Sequence, residues 1–221
     1  MKKNTTIPWQ KIDSLFLDLD GTLLDKHFDD YFWETHVPKT FAAQNGLQVD
    51  EAKKQLLSIY RSMENTLHWS DLDYWSARLD LDIVALKYEI SDLIRLRPDV
   101  LDFFAFIADL GKHIFLITNA HPKTLAVKLA KVQISQYFER IICSQNLGFA
   151  KEQPEFWQKL QEELPHRPKN IFFADDTEKV LTTAQEAGVG HLVHIANPNS
   201  RLSPRYSEQF ISISSFTELM A

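Results

Sequence analysis

The stretch LFLDLDGTLLD, Leu15 to Asp25, ends an apolar run on two aspartates two positions apart and follows them with Gly-Thr. Burial makes ionised carboxylates costly, so a chain that sets Asp18 and Asp20 at the end of a hydrophobic segment needs something to balance them. Residues i and i+2 of an extended segment point the same way, which turns both side chains toward a common volume. Two unit charges about 6 Å apart repel by roughly 3 kcal/mol at an effective dielectric of about 20. Protonation or a cation must offset that repulsion.

Working outward, four more short apolar runs resemble the first: HIFLIT (His113 to Thr118), RIICS (Arg140 to Ser144), NIFFAD (Asn170 to Asp175) and HLVHI (His191 to Ile195). Together with IDSLFLD (Ile12 to Asp18) they are continuous rather than alternating, as strands buried on both faces should be. Helical patterns lie between them. Asp99 to Leu110 places Val100, Leu101, Phe104, Ile107 and Ala108 at helical spacing before Gly111. Pro122 suits the first turn of a helix with the stripe Leu125, Leu129 and Val132, and Thr177 suits the cap of one that stops at Gly188. Strands alternating with helices imply crossover connections, hence an α/β fold with a mostly parallel sheet and helices on both faces.

The alternation fails between Asp25 and Arg97. No strand is evident there; Val49, Ala52, Leu56, Ile59 or Tyr60, Met63 and Leu67 repeat at helical spacing, as do Ile83, Val84, Tyr88, Ile90 and Ile94. About seventy residues are too many for a loop in a compact core. The expected division is a core of residues 1–24 and 98–221 with an inserted helical cap subdomain at 25–97.

In a parallel sheet, ligands bind beyond the carboxyl ends of the strands. Asp18 and Asp20 end the first strand, Thr118 and Asn119 the second, and Asp175 and Asp176 the fourth, while Lys151 follows the third. Asp18, Asp20, Asp175 and Asp176, the candidate metal ligands, form an all-carboxylate set with no His/Cys cluster, which favours a small oxygen-preferring cation, and Mg²⁺ is the best fit. With the cation in place the site attracts phosphate. Lys151, the Thr118 hydroxyl and Asn119 are then the expected phosphate ligands, and Gly21 lets backbone amides approach. Asp18 is placed to attack phosphorus and form an aspartyl-phosphate, with Asp20 as acid and then base. Either Asp175 or Asp176 can be the direct metal ligand.

Composition narrows the partners. The 221 residues are 44% hydrophobic and 24% charged with a formal charge of −6, and no basic run is longer than a pair such as Lys2-Lys3. That balance offers no footprint for a nucleic acid polymer or an acidic membrane surface. The N-terminal residues lack a signal-like apolar stretch, so cytoplasmic residence is expected. The only cysteine, Cys143, reads as a small buried residue. Oligomeric state is not legible.

DLDGT, LITN, a lysine after the third strand and the DD of FFADDT, in that order, resemble the four motifs of the haloacid dehalogenase-like superfamily. The resemblance implies a Rossmann-like core with a cap inserted after the first motif, Mg²⁺ dependence and phosphoryl transfer through the first aspartate. Lys151 departs from the common pattern, since Glu152 and Gln153 separate it from Pro154. DDYFWETHVP (Asp29 to Pro38), HWSDLDYWSARLDLDI (His68 to Ile83) and TNAHPKTLAVKL (Thr118 to Leu129) are similar to the bacterial GMP/IMP nucleotidases, which implies purine 5′-mononucleotide substrates. His121, Trp33 and Trp69 are candidate substrate contacts. Most cap aromatics, including Tyr31, Phe32, Tyr74 and Trp75, read as subdomain core. Rival readings are a phosphatase of phosphoglycolate or a sugar phosphate, and a non-catalytic module that binds nucleotides or protein.

Overall fold

Side chains along each central strand point alternately to opposite faces, and both faces are apolar, so the sheet must be covered twice. The computed structural model describes residues 6–64 and 66–220; the Lys2-Lys3 run lies outside them. In chain order the elements are β1 (Ser14–Leu17), α1 (His27–Tyr31), a π-helical turn (Phe32–His36), α2 (Val37–Asn45), α3 (Val49–Arg61), α4 (Leu72–Leu79) and α5 (Ile83–Glu89). Then follow α6 (Val100–Asp109), β2 (His113–Thr118), α7 (Pro122–Val132), β3 (Arg140–Cys143), α8 (Ser144–Leu147) and α9 (Pro154–Glu163). The chain ends with β4 (Ile171–Asp175), α10 (Glu178–Glu186), β5 (His191–Ile195) and β6 (Ile211–Ile213).

The strands pair in parallel in the order β3-β2-β1-β4-β5-β6. All five expected runs are strands, and β6 is an addition: ISI is too short and too serine-rich to stand out, and it gains its place by pairing with β5. Leu15, Leu17, Ile114, Leu116, Phe172 and Ala174 face one side, where α6 contributes Phe103, Phe104 and Ile107 and α7 contributes Leu125. Phe16, Phe115, Ile117 and Phe173 face the other, against Phe156, Trp157 and Leu160 of α9 and Val180, Leu181 and Ala184 of α10. Cys143 is buried at the end of β3.

Helix ends follow local chemistry. Gly111 and Gly188 take the left-handed conformation after α6 and α10, and Pro122 begins α7. Thr177 occupies the position before α10, but its side chain does not cap the helix as expected. Asp175 Oδ1 takes the Thr177 N–H instead, at 2.8 Å; an ionised carboxylate is a stronger acceptor than a hydroxyl.

Between residues 25 and 97 the described residues form helices and no strand. They carry their own apolar cluster, including Phe32, Leu56, Tyr60, Trp75, Ile83 and Leu86. The buried face of α5 is Ile83, Leu86 and Lys87, whereas Tyr88 is 55% exposed, a correction to the expected stripe. Asp82 caps α5 through the Ala85 N–H, fixing the start at Ile83 and so turning i+3 and i+4 inward. The chain leaves and re-enters the sheet layer side by side, with Asp25 N–H donating to Arg95 O and Arg97 N–H to Leu23 O, each at 3.0 Å. No helix among the described residues is long and apolar enough to cross a membrane.

Candidate active site

The chain steps outward from β1 to β2 and β3, then returns to the other side with β4, so strand order reverses between β1 and β4. Carboxyl ends at such a reversal frame a crevice. Asp18 follows β1 directly, its N–H donating to Ala174 O at 3.1 Å, and Asp175 ends β4. Both are buried.

Lys151 lies between them. Its ammonium is 2.6 Å from Asp18 Oδ1 and 2.7 Å from Asp175 Oδ2, and donates also to Ile117 O at 3.2 Å. The loop that delivers it is pinned from three sides. Lys151 N–H donates to Asn119 Oδ1 at 3.0 Å, and its carbonyl accepts from Trp157 Nε1 and Thr183 Oγ1, each at 2.9 Å. The other end of the Asn119 amide donates to Glu152 Oε2 at 2.9 Å. Thr118 is buried, its hydroxyl oxygen accepting from Ala120 N–H at 3.0 Å.

Asp176 leans against Gly21. A Cβ at that glycine would sit 2.7 Å from Asp176 Oδ2 and 2.9 Å from Pro198 Cβ, and its φ of +89° is left-handed. Glycine is therefore required by both space and backbone. Asp176 Oδ2 also accepts from Lys26 Nζ at 2.6 Å.

Ligand oxygens of Asp18, Asp175 and Asp176 lie within 4.8 Å of one another, while the Asp20 carboxylate, also an expected metal ligand, stands outside that group because it turns to Lys128. Asp18 Oδ2 is buried with no hydrogen-bond partner among the described residues. A buried orphan oxygen among converging carboxylates fits a hard cation, which takes oxygen ligands. Protonation behaviour agrees. Burial pushes the Asp18 carboxyl up to about 7, with Asp175 and Asp176 adding to the effect against Lys151. Burial likewise lifts Asp175 to about 6. Burial opposes charge on Lys151, yet Asp175 and Asp18 outweigh it and hold the lysine protonated above its ordinary range. The carboxylates rise chiefly because burial disfavours their charge, and the neighbouring carboxylates add to that against the pull of Lys151.

Asp20 stands nearer the cavity, its side chain 23% exposed. Its Oδ1 lies 2.6 Å from Lys128 Nζ, which is also 2.6 Å from Asp29 Oδ2, and Lys87 Nζ reaches Asp29 Oδ1 at 3.0 Å. Burial, with the charges of Asp29 and Asp18, raises Asp20 to about 6 against the pull of Lys128. Sequence reasoning missed Lys26, Asp29, Lys87 and Lys128. One signal was available for Lys128: it lies three residues past Leu125, on the face of α7 that Thr124 and Leu125 bury.

A cavity of about 400 Å³ opens above these groups, walled on the insert side by Trp33, Tyr60, Trp69 and Leu72. Trp33 is partly exposed and Trp69 is 42% exposed, whereas Phe32 and Trp75 are packed inside the insert. Tyr31 packs on His27, and Tyr74 stacks on His68. His121 lines the same cavity; its Nδ1 accepts from Lys123 N–H at 3.3 Å, and Nε2 is 3.8 Å from Asp71 Oδ1.

A family model for haloacid dehalogenase-like hydrolases matches residues 12–188, a span that holds all of the acidic centre and the insert above it, and the chain belongs to that family. Among curated proteins it is 35% identical over 214 residues to the GMP/IMP nucleotidase YrfG of Escherichia coli, covering 97% of this chain and 96% of that one. Among solved structures, an HAD phosphatase from Thermococcus onnurineus superposes with a TM-score of 0.79 at 21% identity, covering 94% and 95% of the two chains. The magnesium-bound HAD-hydrolase YfnB of Bacillus subtilis gives 0.67 at 18% identity, covering 94% and 96%. At those identities the two structures speak for the fold.

Proposed function

We propose that the chain is a Mg²⁺-dependent phosphomonoesterase acting on purine 5′-mononucleotides, with residues 1–24 and 98–221 as catalytic core and 25–97 as a cap that selects the leaving group. The observation that carries the reading is Asp18 Oδ2, a buried carboxylate oxygen without a hydrogen-bond partner, at the floor of a cavity whose far wall is aromatic. An anionic ester suits the floor once a cation is present, and a flat heterocycle suits the wall. Similarity to the E. coli GMP/IMP nucleotidase supports the purine assignment.

In this reading Asp18, Asp175 and Asp176 hold the ion, which supplies positive charge for the phosphoryl oxygens. Asp18 attacks phosphorus through a carboxylate oxygen, and the bond from phosphorus to the nucleoside oxygen breaks. Asp20 gives its proton to the departing alkoxide, then takes one from the water that hydrolyses the aspartyl-phosphate. Lys151 and the Thr118 hydroxyl neutralise and orient the phosphoryl oxygens, and Asn119 holds the Lys151 loop while presenting its own edge to the phosphate. Trp33 and Trp69 stack on the base, and His121 meets the ribose end.

The test is phosphate release from IMP, GMP, AMP, phosphoglycolate and sugar phosphates with Mg²⁺ and with EDTA. Mg²⁺-dependent turnover led by IMP and GMP is expected. A preference for a sugar phosphate or phosphoglycolate refutes the nucleotide assignment, and absence of turnover across the panel refutes the enzyme.

A further inference from the structure

Lys87 and Lys128 are each 1% exposed, and lysine is almost never so deeply buried without a partner. Both find theirs in Asp29, and Lys128 also meets Asp20. The four groups come from separate parts of the chain: Asp20 from the turn after β1, Asp29 from α1, Lys87 from α5 and Lys128 from α7. Aromatic rings back them, with Phe32 4.2 Å from Lys87 Nζ and Phe28 5.4 Å from Lys128 Nζ. Two ammoniums face two carboxylates, so the quartet is formally neutral.

A core-filling role alone would be served at lower cost by apolar side chains, since taking charges out of water is expensive even in pairs. All four side chains instead line the cavity, the carboxylates more openly, Asp20 at 23% and Asp29 at 19% side-chain exposure. Lys128 is shared between them at equal distances of 2.6 Å. Asp29 therefore anchors the ammonium independently of Asp20, and Lys87, from α5, holds Asp29 in place within the helical insert.

Resting on the phosphomonoesterase reading above, we infer that Lys128 is a positioning residue for Asp20: it fixes the carboxylate that serves the leaving oxygen, while Asp29 and Lys87 tie that placement to the insert. Lys128 touches neither nucleophile nor metal ligands on the far side of the floor, so its removal spares phosphoryl attack and impairs departure of a leaving group that needs a proton.

Leaving-group dependence separates this from a structural role. The constant kcat/KM covers steps through formation of the phosphoenzyme, so it includes departure and omits the later hydrolysis. IMP leaves as an alkoxide that needs a proton; p-nitrophenyl phosphate leaves as a stabilised phenolate that does not. Lys128→Met is expected to lose about 10-fold or more in kcat/KM on IMP, within the roughly 10²–10⁴-fold that a general acid supplies, and under about threefold on p-nitrophenyl phosphate. Asp20→Asn should give the same pattern with a larger loss. Because Lys128→Met unbalances a neutral quartet, the charge-matched double variant Asp29→Asn, Lys128→Met is read beside it with the same expectation. Equal losses on both substrates in a folded variant, or none on either, overturn the positioning role while leaving the phosphatase reading intact. Failure of the unaltered protein to hydrolyse either substrate with Mg²⁺ overturns both.

Discussion

Replacing Asp18, the proposed nucleophile, should abolish turnover and yet stabilise the metal-free protein. Burial is the chief reason that Asp18 titrates near 7 rather than at the ordinary 3.8. Keeping such a group ionised at pH 8 costs on the order of 4 kcal/mol of folding free energy. Asp18→Asn removes that charge with little change of shape. Lys151 is not stranded by the change, because Asp175 Oδ2 at 2.7 Å and Ile117 O at 3.2 Å remain. The attraction to Lys151 is already contained in the raised value, and relaxation of the buried site reduces the gain further, leaving an expected stabilisation of about 2 kcal/mol, or roughly 4–8 °C in Tm for a chain of this size.

The sign with pH follows from the raised carboxyl. A group that titrates higher folded than unfolded contributes stability that is fully present below its unfolded value near 4 and is lost as pH rises through about 7. The advantage of Asp18→Asn should thus be large at pH 8 and shrink toward pH 5. Excess Mg²⁺ should reverse the order, since an ion bound only by the folded state adds stability by mass action and the variant lacks one ligand. Turnover should fall by at least about 10³-fold, the scale on which nucleophiles act. Thermal unfolding in EDTA and in MgCl₂ at both pH values is the assay. A variant no more stable than its parent in EDTA at pH 8, or equally advantaged at pH 5, would refute an over-charged anionic floor.

Gly21→Ala should cost about 1–3 kcal/mol through its φ of +89° and, by displacing Asp176, should weaken Mg²⁺ uptake measured calorimetrically; unchanged affinity would detach Asp176 from the ion. Trp69→Ala, at a side chain 42% exposed on the cavity wall, should leave Tm nearly unchanged and raise KM for IMP at least fivefold, given about 1–3 kcal/mol for stacking a base on an aromatic ring. An unaltered KM would place the base elsewhere.

Legibility in the sequence tracked how far the determining interactions were local. Strands such as HIFLIT announce themselves by continuous apolar content, because burial on both faces leaves no polar position. β6 has only three residues and owes its pairing to β5, so its own composition carries little. The acidic centre was visible because strand ends at a topological switch are a few fixed places, and Asp18 and Asp175 fall on them, while Lys151 reaches them from the loop after α8. Lys87 and Lys128 were not, since a lysine on a helix reads as a solvated residue until the partner that neutralises it, here Asp29, is brought from another element. The break in alternation marked where the insert departs and returns, but the pairing of Leu23 to Asp25 with Arg95 to Arg97 was not legible, because it joins residues about seventy positions apart.

The two halves of the cavity floor are built with different electrical balance, and that difference suits the two halves of the proposed reaction. Around Asp18 three carboxylates, Asp18, Asp175 and Asp176, face two ammoniums, Lys151 and Lys26, so one negative charge is left over. A divalent cation turns that deficit into an excess of one positive charge, which a phosphate ester then meets; a monovalent ion would only cancel it. Around Asp20 two carboxylates face two ammoniums and no deficit exists. An ion there would have to displace Lys128 from a contact of 2.6 Å. In the proposed reaction, charge count alone would direct the metal to the attacking side of the floor and keep it from the proton-transferring side. It follows that Lys26→Met, which deepens the deficit beside Asp176, should leave the ion on the Asp18 side. Lys128→Met should instead open a second acidic pocket, so Mn²⁺ titrated against that variant should report an additional weak site that the parent lacks.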